Sequence, residues 1–289
     1  MTTHAEPRLA RRLEMDDQAK LFPVLAEEAP ISGPVVAGIR DERRSARGVV
    51  SSFFSCSDPT ESLLYVGAGI VPFRMQSGDA EMFAGSLISA RYTKASIHGR
   101  ADNVLCLWDA LEPVWGPAKE VRPTQLLLQC RSPQFVSMTS DARTRVGPLR
   151  LAAPEEIDRV LPAAAAMYEE ELGTNPLTAP YSAAYRQRVH RYLANRQTWI
   201  CDLDGGNEVA FKVDIVGREY STATIQGVWT NPMVRGSGVA TSAMSTLCHI
   251  LSADRVVPSL VVNSYNRAAR RVYERCGFTT VADYATVMF

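Results

Sequence analysis

The run Leu260-Val-Val-Asn-Ser-Tyr-Asn-Arg-Ala-Ala-Arg-Arg-Val-Tyr-Glu-Arg-Cys-Gly-Phe278 leaves a strand, enters a helix and starts another strand. Its β-branched opening continues a strand over Ser259–Val262. Tyr265, Ala269, Val272 and Cys276 recur at +4, +3 and +4, an apolar stripe that predicts a helix over Tyr265–Cys276. Gly277 stops that helix, because glycine takes the left-handed end conformation at no steric cost. Asn266 and Tyr273 stand seven apart and project from nearly the same side, two turns apart.

Upstream, Gly227-Val-Trp-Thr-Asn-Pro-Met-Val-Arg-Gly-Ser-Gly-Val-Ala240 makes a second strand-to-helix passage. A strand over Thr222–Trp229 ends before Pro232, which has no N–H for a ladder. Arg235-Gly236-Ser237-Gly238 then opens a helix over Gly236–Leu251, with Ala240, Met244, Leu247 and Leu251 on one face. Glycines let backbone amides approach a ligand, and a helix start adds unpaired donors and a positive dipole end. Such a turn suits a diphosphate. Taken alone, it is also an ordinary strand–helix connection.

Working outward, the second half reads β-α-α-β-β-β-α-β-α-β-β. A strand at Leu149–Leu151 precedes a helix from Pro154 to Leu172, stopped at Gly173, and a helix over Tyr181–Asn195. Strands over Thr198–Leu203 and Val209–Ile215 flank an Asp204-Gly-Gly206 turn, and two short strands around Thr280 and Val287 close the chain. The first half has a similar rhythm. Helices fit Met15–Glu28, Pro34–Arg43, Asp79–Tyr92 and Asn103–Val114; strands fit Gly48–Phe54, Leu63–Val66, Ala95–His98 and Thr124–Cys130. Residues 1–13 read as ragged, and the polar segment 131–147 reads as a linker. The expected division is 1–146 and 147–289, the first a degenerate copy of the second.

The two quoted runs resemble the GNAT superfamily of N-acetyltransferases. Val234-Arg-Gly-Ser-Gly-Val-Ala240 is similar to its acyl-CoA motif. Val262, Asn263, Asn266, Ala269, Tyr273, Gly277 and Phe278 match its second motif. The whole chain also resembles a bacterial group of two-part GNAT proteins with an uncharacterised N-terminal domain. That likeness rests on Leu107-Trp-Asp-Ala-Leu-Glu-Pro-Val-Trp-Gly-Pro-Ala-Lys-Glu-Val-Arg-Pro123 and Asp283-Tyr-Ala-Thr-Val-Met-Phe289. The layout is further similar to mycothiol synthase and glycine N-acyltransferase. The resemblance implies an α/β, α+β mixed-sheet fold: a GNAT acyltransferase fold in the C-terminal half and a smaller, degenerate GNAT-like domain before it.

The resemblance also implies a site. A strand over Ala223–Trp229 would part from Ser259–Val262 and admit the pantetheine arm of acetyl-CoA or another acyl-CoA. Val228 and Thr230 would pair with its amides. The cradle Arg235, Gly236, Ser237, Gly238, Val239 and Ala240 would take the diphosphate, and Asn263 and Asn266 complete the cofactor set. An N–H near Trp229 would face the thioester oxygen where charge develops. Tyr273 would be the acid for the departing thiolate, its phenol near pKa ~10 against ~8.5 for a thiol. Gln226 stands where many relatives carry a glutamate base and cannot take a proton. Water, Glu169, Glu170, Glu171 or Asp214 is left to serve. The first half lacks an Arg-x-Gly-x-Gly run, its nearest analogue being Gly67-Ala-Gly69, so no CoA is expected there.

Bulk properties exclude other classes. Formal net charge is zero, balanced within each half, so no basic field calls for nucleic acid. No run approaches the ~20 apolar residues of a membrane span, and the N-terminus lacks a signal-like apolar core. Cys56, Cys106, Cys130, Cys201, Cys248 and Cys276 form no CxxC pair, and His4, His98, His190 and His249 show no ligand spacing. Reduced buried thiols, a cytoplasmic location and no metal are expected. Trp108 and Trp115 read as packing residues, His190 as a surface residue. The expected reaction moves an acetyl or short acyl group to a primary amine of a small metabolite, amino acid or peptide; a homodimer is allowed. A protein lysine or N-terminal acetyltransferase and a non-catalytic acyl-CoA-binding module are the alternatives.

Overall fold

A computed structural model describes residues 9–14, 17–44, 51–92, 96–178, 180 and 182–289. The expected element starts at Met15, Gly48, Ala95 and Tyr181, and most of the ragged N-terminus, lie outside the described residues. The chain forms two compact units. One contains residues 1–127, 261–265 and 280–289; the other contains 128–260 and 266–279. A single cut at 146/147 does not describe them, because the last ten residues return to the first unit.

The first unit runs β1 (Arg11–Arg12), α1 (Gln18–Glu27), α2 (Ala29–Arg44), β2 (Ser52–Ser55), β3 (Leu63–Val66), β4 (Ile70–Phe73), α3 (Asp79–Ser89), β5 (Ile97–Arg100) and α4 (Ala101–Trp115). β6 (Glu120–Cys130) carries the chain onward. β1, β2, β3 and β4 are antiparallel neighbours in sequence order, whereas β4 and β5 are parallel. Its core joins Phe83, Leu87, Leu107, Leu111 and Ile97 to Ala285 and Val287. Trp108 and Trp115 both pack edge-on to Phe289, at 5.5 and 5.4 Å. Their expected packing role holds.

The second unit begins with α5 (Ser140–Arg145). It continues β7 (Arg150–Leu151), α6 (Ile157–Leu172), α7 (Ser182–Ala194), β8 (Thr198–Asp202), β9 (Val209–Glu219) and β10 (Thr222–Thr230). α8 (Val239–Ala253), β11 (Val257–Asn263), α9 (Arg267–Cys276) and β12 (Phe278–Met288) follow. From β7 onward this repeats the order from β1 to β6 element for element, again with one parallel pair, β10 with β11. The degenerate copy expected in the first half is therefore real. Its β4 was not foreseen, because Pro72 breaks an otherwise apolar four-residue run.

Several expected boundaries need correction. The closing pair of short strands is one strand, β12, whose Tyr284–Val287 pairs antiparallel with Ile97–Arg100 of β5. α9 starts at Arg267, not Tyr265. Asn266 is its N-cap, with the side-chain oxygen accepting from the Ala269 amide at 3.0 Å. A capping side chain turns back onto its own helix, so Asn266 does not share a helical face with Tyr273. Tyr265 is 70% exposed and lies outside the apolar stripe. α8 starts at Val239, because Gly236 and Gly238 adopt left-handed backbone.

The segment read as a linker is fitted structure. The Gln134 amide donates to the Cys276 carbonyl, and Val136 and Gln134 exchange bonds with the Ser245 hydroxyl. Thr139 binds the Ser237 carbonyl through its amide and hydroxyl, then caps α5. All six cysteines are free thiols; Cys130, Cys201, Cys248 and Cys276 are buried, whereas Cys106 is exposed on the outer face of α4. Among the described residues, no helix is long and apolar enough to cross a membrane, and no cluster of metal-ligating side chains appears.

Candidate active site

β10 sets the geometry. Its parallel pairing with β11 runs only from Thr222↔Val257 to Ile225↔Leu260 and then ends. On its other edge it stays paired with β9 to Thr230↔Phe211. The parting expected along Ala223–Trp229 therefore begins only after Ile225; Ala223–Ile225 remain paired.

A bulge follows at once. Gln226 pairs with Asp214 and Trp229 with Lys212, so Gly227 and Val228 together face Val213. Gly227 has φ +61, and a Cβ there would sit 2.7 Å from Asp214 Oδ2 and 3.0 Å from Lys212 Nζ. Only glycine fits. Beneath the bulge Lys212 and Asp214 form an ion pair with side chains 2% and 4% exposed. Thr198 Oγ1 donates to Asp214 Oδ1 at 2.8 Å, and Lys212 Nζ lies 3.4 Å from the Gly227 carbonyl. Asp214, offered by the sequence as a base, is thus already partnered.

The Trp229 side chain is buried among α6 and α7 residues, and its indole N–H donates to Glu170 Oε1 at 3.2 Å. Glu170 also grips Arg235 Nη2, while Arg235 Nε donates to the Thr230 carbonyl at 2.9 Å. Arg235 is consequently a strut across the turn, not a free cation. Asn231, which sequence reasoning missed, fastens the same turn. It is buried, its oxygen accepts the Met233 amide at 3.0 Å, and its nitrogen reaches the Val209 carbonyl at 3.3 Å. The Asn-Pro dipeptide was the available signal.

The glycine turn before α8 follows. A 3-10 turn over Pro232–Val234 leads to Gly236 at φ +78 and Gly238 at φ +85, the N-cap of α8. Glycine is favoured at 238 by its φ, since a Cβ there would make only an ordinary contact, 3.4 Å from Met138 Cα. Among the described residues the amides of Gly236, Ser237, Gly238, Val239 and Ala240 donate to no protein acceptor. Five open donors at a helix start are an arrangement that suits an anion.

Tyr273, on the buried face of α9, packs against Phe278 at 5.7 Å and is 6% exposed. Its hydroxyl makes no hydrogen bond among the described residues. Burial, with smaller contributions from Cys276 and Glu171, pushes the phenol pKa well up. It stays protonated across neutral pH. Asn263 belongs to the first unit, where its oxygen accepts from Gln125 Nε2 at 2.8 Å. Gln226 is exposed and donates to the Tyr192 hydroxyl at 3.0 Å, and His190 is exposed as expected.

Residues 162–278 match the family described as Acetyltransferase (GNAT) family, and residues 48–160 match a domain of unknown function, DUF4081. No curated protein matches the chain. Among solved structures it is similar to a GNAT-family acetyltransferase from Colwellia psychrerythraea: 11% identity, 97% and 99% of the two chains, TM-score 0.57. It is similar to a GCN5-related N-acetyltransferase from Sphaerobacter thermophilus at 14% identity over 99% and 96%, TM-score 0.60. A GCN5-related N-acetyltransferase-like protein from Streptococcus suis aligns at 12% identity over 95% and 99%, TM-score 0.51. These likenesses span both units, and at such identities they speak for the fold alone.

Proposed function

Because residues 162–278 form a GNAT acetyltransferase domain behind a DUF4081 domain, we propose that this chain moves an acetyl or other short acyl group from acyl-CoA to a primary amine. The acceptor is a small metabolite or amino acid. The observation that carries this reading is the set of open amides from Gly236 to Ala240 at the start of α8. They fit the diphosphate of CoA, and the left-handed φ of Gly238 disfavours a side chain that would fill the turn.

When bound, acyl-CoA supplies a thioester-activated acyl group. The chain's residues have separate tasks. The cradle amides hold the diphosphate against the positive end of α8. Val228 and Thr230, past the point where β10 leaves β11, offer backbone groups to the pantetheine amides. A backbone N–H near Trp229 stabilises negative charge on the acyl oxygen. Holding both reactants together supplies much of the acceleration. Tyr273 Oη keeps a proton for the departing thiolate, and its lack of a protein partner leaves it available. Asn266 acts through α9: by capping the helix it fixes Tyr273. Asp214 is engaged with Lys212, and Glu170 with Arg235. Glu171, whose charge reaches Tyr273, is partnered as well, and the amine proton passes to water.

The first unit is assigned no CoA. At the start of its α3, Asp79 Oδ2 accepts the Gln76 amide at 2.7 Å, so a carboxylate occupies the turn equivalent to the cradle. It would repel a phosphate there.

The test is release of CoA thiol from acetyl-CoA and longer acyl-CoAs against an amine panel, with Tyr273→Phe beside the wild type. The expected result is turnover with at least one amine and a kcat lowered about 100-fold in the variant, with KM for acyl-CoA little changed. Normal turnover in the variant would remove Tyr273 as the acid. CoA binding without turnover on any amine would leave a binding module.

A further inference from the structure

The first unit holds an open cleft of about 650 Å³ at the ends of β4 and β5 and the start of α4, lined by Glu28, Glu61, Arg74, Arg100, Asp102 and Asn103 among others. Its volume is that of a small-molecule site. Two of its cations are already matched. Arg100 Nε pairs with Glu28 at 3.0 Å, and Arg74 pairs with Glu27. Two carboxylates are not. Glu61 accepts only from the Ser57 hydroxyl, at 3.1 Å, and Asp102 only from the Asn103 amide, at 2.8 Å. Neither meets a cation among the described residues. The cleft therefore presents net negative charge.

Asn103 supplies an independent sign of a ligand. The residue is 7% exposed, yet its carboxamide makes no hydrogen bond among the described residues. The residue lines the cleft, which leaves its carboxamide open to a ligand there. Phosphate-bearing molecules are disfavoured by Asp79 next door, which holds the Gln76 amide.

We propose that this cleft binds a small polar metabolite through a primary ammonium group, with Glu61 and Asp102 as counter-charges and the Asn103 carboxamide bonded to a neighbouring polar atom of the ligand. All the named residues lie in the first unit. The inference is thus independent of acyl transfer at the second.

The test is titration calorimetry on the full chain with glucosamine, spermidine, lysine and agmatine. N-acetylglucosamine serves as a neutral control, and phosphate and citrate as anion controls. At least one amine should saturate one site per chain. A combined Glu61→Gln and Asp102→Asn variant, which alters exposed side chains only, should weaken that amine at least tenfold. Asn103→Asp should retain or tighten it. No saturation by any amine, equal affinity in the combined variant, weaker binding in Asn103→Asp, or saturation by an anion in place of amines would each overturn the proposal.

Discussion

Glu170 grips Arg235 with both carboxylate oxygens, 2.7 and 2.8 Å from Nη2. The only arginine in the turn before α8 is thereby answered, which leaves the backbone amides as its open donors. Glu170→Gln removes the opposing charge and keeps an acceptor for the Trp229 indole. Acetyl-CoA affinity should rise roughly threefold, with a steeper salt dependence, by calorimetric titration. Both side chains are about half exposed, so stability should change by less than about 1 kcal/mol. Unchanged affinity would mean that Arg235 does not face the diphosphate.

The Lys212–Asp214 pair predicts non-additive energetics. Lys212→Met strands a carboxylate that is 4% exposed and should cost about 3–5 kcal/mol in urea denaturation. Adding Asp214→Leu removes the stranded charge and should recover much of that loss. Losses that simply add across the two single variants would contradict a coupled pair.

Acid should weaken the first unit through His98. Burial lowers its pKa to about 4, and its Nδ1 lies 2.9 Å from the Tyr284 hydroxyl. The unfolded chain takes up a proton below about pH 6.5, the folded chain only near pH 4. Stability is therefore complete above the unfolded pKa and falls as pH drops from about 6.5 to 4. The loss is at most about 3 kcal/mol, less where the ring meets solvent. His98→Gln should flatten that part of the pH–stability curve, measured by thermal melts. An equally steep slope in the variant would assign the effect elsewhere.

The parts legible in the sequence were those where one residue type is nearly obligatory. Gly236 and Gly238 mark left-handed backbone before α8, and Gly277 marks the end of α9, where a Cβ would meet the Ser132 carbonyl at 2.4 Å. Apolar spacing found the buried Met244, Leu247 and Leu251. Hidden features depended on partners distant in sequence. Lys212 reads as a charge interrupting an apolar strand until the fold brings Asp214 and Gly227 against it. Asn266 fits two roles, helical surface or cap, and only the backbone angles choose. Residues 131–139 look like a linker because their bonds go to Ser237, Ser245 and Cys276, 98 or more positions away. The return of β12 to the first unit rests on pairing with β5, which no local pattern encodes.

The open amides from Gly236 to Ala240 are tested most directly by acetyl-CoA titration of Gly236→Asp. Nothing lies within 4 Å of a Cβ at Gly236, and aspartate tolerates left-handed backbone better than most residues. The substitution therefore places a negative charge at the turn with little damage to folding. The expected result is acetyl-CoA affinity lowered at least tenfold while the thermal midpoint moves by only a few degrees. Wild-type affinity in a folded Gly236→Asp protein would contradict a diphosphate site at the start of α8.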